Sequence, residues 1–384
     1  MQFEFATAAR IIFGPGTLQQ VAPMAAKLGH RAFVTAGGST DRIMPFIEQL
    51  GQQGIESTIF SVSGEPTTEV AISGVQIARE AECDFVVGVG GGSVLDTGKV
   101  IAALLTNSGD LFDYLEIIGQ GQPLMHDPAP YIAIPTTAGS GAEVTRNSVL
   151  ISPEHRVKVS MRSPLMLPYL AVVDPVLTYT MPPSLTAATG LDALSQLLEA
   201  YTSNKANALT DGICKEGMQR IASSLRKAYE NGTDAAAREN MSIASLFGGL
   251  ALANSKLGAV HGIAGPLGGM MPIPHGVICA HLLPHVIESN IRALQSRDPH
   301  SPALKRYDEA AGILTGKATA KAADGMVWIQ ELCEALAIPP LTSFGLSEKD
   351  FPEIITRAKR ASSMKGNPIT LSDEELTQIL QKAL

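Results

Sequence analysis

Close to Asp174 the hydrophobic repeat of the chain changes, and that change restricts the sequence to an architecture in two parts. Upstream, short β-branched runs alternate with longer amphipathic stretches, the pattern of strand and helix units that build a parallel sheet. The strand runs are residues 31–35, 56–62, 84–89, 131–135 and 170–173, and helical spacing covers 17–28, 41–52, 69–82 and 93–105. Downstream of Met181-Pro182-Pro183 the period is 3.6 almost throughout. Helices are predicted near 184–202, 207–229, 234–254, 257–269, 276–293, 302–315, 319–336 and 348–360, with a short one at the C-terminus. The expected fold is a doubly wound α/β domain over 1–180 and an all-α domain over 181–384.

Charge and composition narrow the partners. With 37 acidic against 29 basic residues the net charge is −8, and no Lys/Arg cluster stands out. Nucleic acid and anionic membrane surfaces are therefore not expected partners. No run of 18 apolar residues is present to span a bilayer. The N-terminus lacks the basic and apolar segments of a signal peptide, while Phe3 and Phe5 alternate with polar neighbours as in a strand. Cys83, Cys214, Cys279 and Cys333 are far apart and read as reduced thiols, so a cytoplasmic location is expected. Phe3, Phe5, Ile11 and Ile12 are expected to form an edge hairpin shared across a two-fold axis, giving a homodimer or higher homo-oligomer.

The strand at 84–89 runs into Gly90-Gly91-Gly92-Ser93, and a helix carrying Asp96 and Lys99 starts at once. Glycines let backbone approach a phosphate closely, and a helix start supplies free N–H groups and a positive dipole end. The spacing is not GxGxxG, because Ser93 takes the last glycine position. A second strand, 131–135, leads into Thr136-Thr137-Ala138-Gly139-Ser140-Gly141, which adds hydroxyl and amide donors at the same end of the sheet. Together the two loops read as a nucleotide site. After the strand at 31–35 comes Ala36-Gly37-Gly38-Ser39, without an acidic residue at the strand end to receive a ribose 2′-hydroxyl. NADP is then as acceptable as NAD, although Asp41 is close by and otherwise reads as a helix cap. Gly37 is counted with the cofactor contacts.

Asp192 and Gln196 are one helical turn apart, and His261 and His275 follow beside glycines. A carboxylate and two imidazoles on packed helices suit a divalent ion. Spacing alone leaves two readings standing, a metal shell or buried hydrogen-bonded histidines.

Gly90-Gly91-Gly92-Ser93-x-x-Asp96-x-x-Lys99, Pro135-Thr136-Thr137-x-Gly139-Ser140-Gly141-x-Glu143-Val144-Thr145, Gly190-Leu191-Asp192-Ala193-Leu194 and the block of His261 with Pro274-His275-Gly276 resemble, in order, the iron-containing (group III) alcohol dehydrogenase family. The resemblance implies a Rossmann-like N-terminal α/β domain and a helical C-terminal domain of the dehydroquinate synthase-like type, with the metal in the cleft between. It implies that Gly91, Gly92, Ser93 and Asp96 serve the pyrophosphate end of the cofactor. Thr136, Thr137 and Ser140 would serve its phosphates and ribose, Lys158 the nicotinamide ribose, and Leu177 and Thr178 weaker contacts. Asn147 reads either as lining the substrate end or as a strand-edge polar residue.

In that family one Asp and three His hold the metal. Asp192, His261 and His275 match three of these positions, the fourth is Gln196, and a further histidine near the nicotinamide is Gly265 here. Gln196 can coordinate through its amide oxygen, a weaker and neutral donor, so Fe²⁺ or Zn²⁺ is expected to be held less tightly. His281 and His285 are not expected to substitute. The implied activity is an NAD(P)-dependent interconversion of a small primary alcohol and its aldehyde, with Asp192, His261 and His275 as the catalytic set. Two alternatives accompany it: a nucleotide-binding protein with a degraded metal site, and a lyase of the dehydroquinate synthase-like group, for which Lys205 is the only basic residue close behind Asp192.

Overall fold

The structure, a computed structural model, describes residues 2–38 and 40–384. The chain separates into two compact units, an α/β unit of Ala6–Thr137 with Gly141–Thr178 and a helical unit that takes residues 2–5 and Ala138–Ser140 with Tyr179–Leu384.

In the α/β unit the elements run β1 (Ile11–Phe13), α1 (Val21–Ala25), β2 (Arg31–Gly37), α2 (Met44–Gln52), β3 (Glu56–Val62), α3 (Thr68–Glu80), β4 (Phe85–Gly90), α4 (Gly92–Thr106), α5 (Leu111–Tyr114), β5 (Tyr131–Pro135), β6 (Asn147–Ser152), β7 (Val157–Arg162) and β8 (Leu170–Val173). Six strands form one parallel sheet in the order β1-β8-β5-β4-β2-β3. Phe33 and Val86 face one buried core while Ala32, Val34, Phe85 and Val87 face the other. That two-sided burial is why these strands read as near-continuous apolar runs. β2 and β4 are neighbours although β3 separates them in sequence, and the chain leaves this pair in opposite directions. Their C-terminal ends, Gly37 and Gly90, therefore flank the topological switch point where open α/β sheets receive ligands.

Two expectations are corrected. No strand forms over residues 2–10, and Ile11–Phe13 pairs in parallel with β8, so Phe3, Phe5, Ile11 and Ile12 make no edge hairpin within the single chain. The pairing partners lie far along the chain, which local alternation cannot reveal. The helix expected over 17–28 is a 3-10 turn, Thr17–Gln20, followed by the single α-turn of α1, with Pro23 inside a segment too short to develop a longer helix. An antiparallel hairpin, β6 with β7, is an addition the sequence reading did not contain.

The helical unit comprises α6 (Pro183–Thr202), α7 (Ala208–Glu230), α8 (Ala235–Ser255), α9 (Ala259–Met270), α10 (His275–Arg297), α11 (Pro302–Thr315), α12 (Ala322–Ala335), α13 (Phe351–Ala358) and α14 (Asp373–Ala383). α6 packs against α7, α8 and α10 and is buried along nearly its whole length after Leu185. A helix buried all round has no polar face to spend on solvent, so its polar residues must find partners inside. Ser195 and Thr202 return their hydroxyls to the carbonyls of Leu191 and Leu198. Asp192, Gln196 and Glu199 remain, spaced to share one face. Among the described residues no single helix is long and apolar enough to cross a membrane, and the four cysteines are free.

Candidate functional site

Within the α/β unit the two glycine- and threonine-bearing loops are joined directly. Gly90 is in register with Pro135, and the Thr136 amide donates to the Gly90 carbonyl at 2.9 Å. Gly91 is the N-cap of α4 and contributes no side chain there. A Cβ on Gly91 would stand 3.2 Å from Thr137 Cγ2, a tight contact that the Thr137 side chain would have to relieve by a small shift. Gly92 and Ser93 begin a 15-residue helix, half-buried, at its positive end.

Other expected cofactor contacts have partners within the chain that the sequence did not show. Asp96 accepts from Val149 N at 2.9 Å and pairs with Lys99 Nζ at 3.2 Å. Lys99 also donates to Thr145 Oγ1 at 2.8 Å and to the Asn147 carbonyl at 2.7 Å, so Asp96 and Lys99 brace α4 against β6. Lys158 Nζ donates to Glu65 at 2.9 Å. The buried Thr178 hydroxyl donates to the Pro175 carbonyl, and Leu177 packs on the apolar core. Burial raises Glu143, next to this brace, to about 7 despite the Lys99 charge.

In the helical unit, α6, α9 and α10 bring Asp192, His261, His275 and Cys279 together, with one donor atom from each lying within 4.8 Å of all the others. Asp192 Oδ1 is 3.2 Å from His261 Nε2 and 3.7 Å from His275 Nε2. Cys279 Sγ is 3.7 Å from His275 Nε2 and 3.9 Å from His261 Nε2. Cys279, absent from the sequence reading of the site, is one turn after His275; that spacing was the available signal. Gly276 makes the arrangement possible, since a Cβ there would be 2.0 Å from the Ala188 carbonyl oxygen of α6. His281, by contrast, bonds to the Pro339 carbonyl at 2.9 Å.

Glu199 is the second residue that sequence reasoning missed. It accepts from Val260 N at 2.6 Å, closing the start of α9, and from His261 Nδ1 at 2.7 Å. A carboxylate only accepts, so Nδ1 carries the proton and Nε2 faces the cluster. There Nε2 meets a carboxylate oxygen, which calls for a positive charge between them, a proton or a metal ion. Burial pulls His261 down, but Cys279, Asp192 and Glu199 outweigh it and hold the imidazole well above its ordinary range. Burial raises Asp192, yet His261 and His275 more than offset it and leave the carboxyl below its usual range. These four residues could hold a divalent ion.

Gln196 lies one turn from Asp192, as expected, but turns its amide nitrogen to the carboxylate, donating to Oδ2 at 3.1 Å. Its Oε1 accepts no hydrogen bond and lies toward Gly248, 2.7 Å from where a Cβ on that residue would be. A Cβ on Gly265, four residues after His261, would meet nothing within 4 Å.

The comparisons with known proteins agree with this layout. The model of the iron-containing alcohol dehydrogenases matches residues 8–175, and that of the C-terminal part of the Fe-containing alcohol dehydrogenase family matches 186–384. The 1,3-propanediol dehydrogenase of Klebsiella pneumoniae is 35% identical over 97% of this chain and 96% of its own. A crystal structure of 1,3-propanediol oxidoreductase superposes with a TM-score of 0.92 at 33% identity, covering 100% of both chains. Sulfoacetaldehyde reductase from Bifidobacterium kashiwanohense, solved in complex with NAD⁺, gives 0.86 at 27% identity over 100% of this chain and 99% of its own. With matches across both units and a histidine and carboxylate cluster on the helices where the motifs put it, the chain belongs to the iron-containing alcohol dehydrogenase family and is an oxidoreductase of that family.

Proposed function

We propose that the chain interconverts a small primary alcohol and its aldehyde with NAD(P)⁺/NAD(P)H, assisted by a divalent metal. The observation that carries this reading is the convergence of Asp192, His261 and His275 on one point with Glu199 fixing the His261 tautomer. A buried carboxylate facing an imidazole nitrogen calls for a positive charge between them, and a divalent ion there would supply Lewis acidity toward the substrate oxygen.

The chain's own residues supply binding and orientation. Gly91, Gly92 and Ser93 offer backbone and hydroxyl donors at the start of α4 for the cofactor pyrophosphate, and Thr136 and Thr137 add hydroxyls beside it. In the oxidative direction a bound nicotinamide cofactor would accept hydride from the carbinol carbon while the hydroxyl gives up its proton. Gly265 has no side chain that could take a proton, so that proton would leave to water. The relatives carry names of propanediol, methanol, choline and long-chain alcohols, which support an alcohol or aldehyde substrate without fixing its length.

The test follows nicotinamide absorbance with short alcohols and aldehydes, using both NAD(H) and NADP(H), before and after chelation. Turnover that is lost with a chelator and restored by Zn²⁺ or Fe²⁺ is expected. No turnover with any substrate at any metal loading overturns the proposal.

A further inference from the structure

We propose that the metal of this chain is bound through the Cys279 thiolate, in a shell of Asp192, His261, His275 and Cys279 that selects zinc, with Gln196 outside it. The inference rests on the metal-assisted reading above and concerns which atoms do the holding.

Four of the six donor separations are close to what zinc asks, and all six are within 4.8 Å. Zn–N and Zn–O bonds of about 2.0–2.1 Å and a Zn–S bond of about 2.3 Å, set at tetrahedral angles, separate neighbouring donors by about 3.3–3.6 Å. The observed separations are 3.2 Å and 3.7 Å from Asp192 to the two imidazoles, and 3.7 Å and 3.9 Å from Cys279 to them. The two sulfur separations are among the longer ones, as the larger donor requires. Cys279 is fully buried on the first turns of α10, held there by the close contact of Gly276 with α6.

Gln196 fits the role less well. Its nitrogen faces the cluster and its oxygen faces α8. In that pose it fastens Asp192, leaving the carboxylate one oxygen, Oδ1, toward the imidazoles. The substitution of a histidine-type position by Gln196 is thus answered from the opposite helix. A thiolate is a soft, anionic donor, and it shifts preference from Fe²⁺ toward Zn²⁺, which already binds more tightly in the general order of divalent ions. Together with Asp192 it neutralises the ion's two charges inside a buried site.

The experiment strips the full chain with a chelator and reloads it with Co²⁺ or Zn²⁺. A sulfur ligand gives the cobalt form an intense near-ultraviolet charge-transfer band, and zinc X-ray absorption shows one sulfur at about 2.3 Å. Both are expected for the unsubstituted chain, together with retention of zinc when equal amounts of Zn²⁺ and Fe²⁺ compete without oxygen. Cys279→Ser is expected to abolish the band and to weaken zinc by more than the roughly 10- to 100-fold that loss of an outer hydrogen-bond partner costs. Gln196→Ala is expected to keep the band. Uptake of cobalt or zinc with only nitrogen and oxygen neighbours overturns the thiolate assignment and leaves the metal-assisted function standing; no uptake of any divalent ion overturns both.

Discussion

Replacing Glu199 by glutamine changes one atom of the side chain and should weaken the proposed metal site without touching any of the four residues that would hold the ion. In the native site both oxygens are in use, one toward Val260 N at 2.6 Å and one toward His261 Nδ1 at 2.7 Å and His261 N at 3.3 Å. Glutamine has a single acceptor for these two directions. If its oxygen stays on Nδ1, its NH₂ group opposes the Val260 N–H, and an unsatisfied buried donor costs about 1–3 kcal/mol. If its NH₂ group faces Nδ1 instead, the imidazole proton must move to Nε2, where it points at Asp192 and removes the lone pair a metal needs. Either outcome also takes a negative charge from the start of α9, worth about 0.3–2 kcal/mol depending on burial. The expected result is a 10- to 100-fold weaker zinc affinity, about 1.4–2.8 kcal/mol. Competition with a chromogenic chelator measures it, and thermal melting with and without zinc shows a smaller metal-dependent gain in the variant. Glu199→Asp, which keeps an acceptor-only group, should recover part of the affinity where glutamine does not. Equal zinc affinity for Glu199→Gln and the unsubstituted chain, within about threefold, would refute the claim that this carboxylate sets the histidine tautomer.

Two further substitutions probe the frame around the sites. Gly276→Ala drives a methyl group to 2.0 Å from the Ala188 carbonyl oxygen and 2.5 Å from its carbon. The obstacle is backbone, so α10 must move, at about 1–3 kcal/mol or more. A lower melting temperature together with weaker zinc binding is expected, and a variant that melts and binds like the parent would show that the close approach is unnecessary. Glu143, buried, titrates near 7 in the folded chain against an ordinary 4.5. The unfolded chain therefore gives up this proton at lower pH than the folded one, and the contribution of Glu143 to stability falls as pH rises from about 4.5 to 7. At about 1.4 kcal/mol per unit the whole loss is on the order of 3 kcal/mol. Glu143→Gln should gain stability relative to the parent by most of that amount between pH 5 and 8 in denaturant titrations, and parallel pH curves for the two would remove the basis for the shift.

How far these sites could be read from the sequence depended on how locally each signal was encoded. The parallel strands announced themselves because burial on both faces leaves no polar alternation, as in Phe85–Gly90. The helix starting at Pro183 and the one at Pro302 were marked by prolines in their first turns. The β6 and β7 hairpin escaped because β6 alternates weakly: Ser148 and Ser152 are buried beside Leu150 while Val149 and Ile151 are half-exposed, so hydrophobicity does not report which side of β6 faces the core. Asp192, His261 and His275 could be picked out as residue types, but the partners that give them chemistry could not. Glu199 meets His261 across 62 positions of sequence, and only the packing of the start of α9 on α6 makes it a tautomer-setting group rather than one more acidic residue. Cys279 carried a local sign, one turn after His275, yet counting thiols for disulfide or zinc-finger spacing looks in the wrong place for a site assembled from three helices. The same logic explains Gln196. Read along α6 it is a weakened ligand, whereas seen with α8 and α10 beside it, it is a hydrogen-bond donor that holds Asp192 in place while sulfur from another helix stands near the imidazoles. A departure from a family's metal motif is therefore weak evidence of lost function until the residues facing that position from neighbouring helices have been counted as donors.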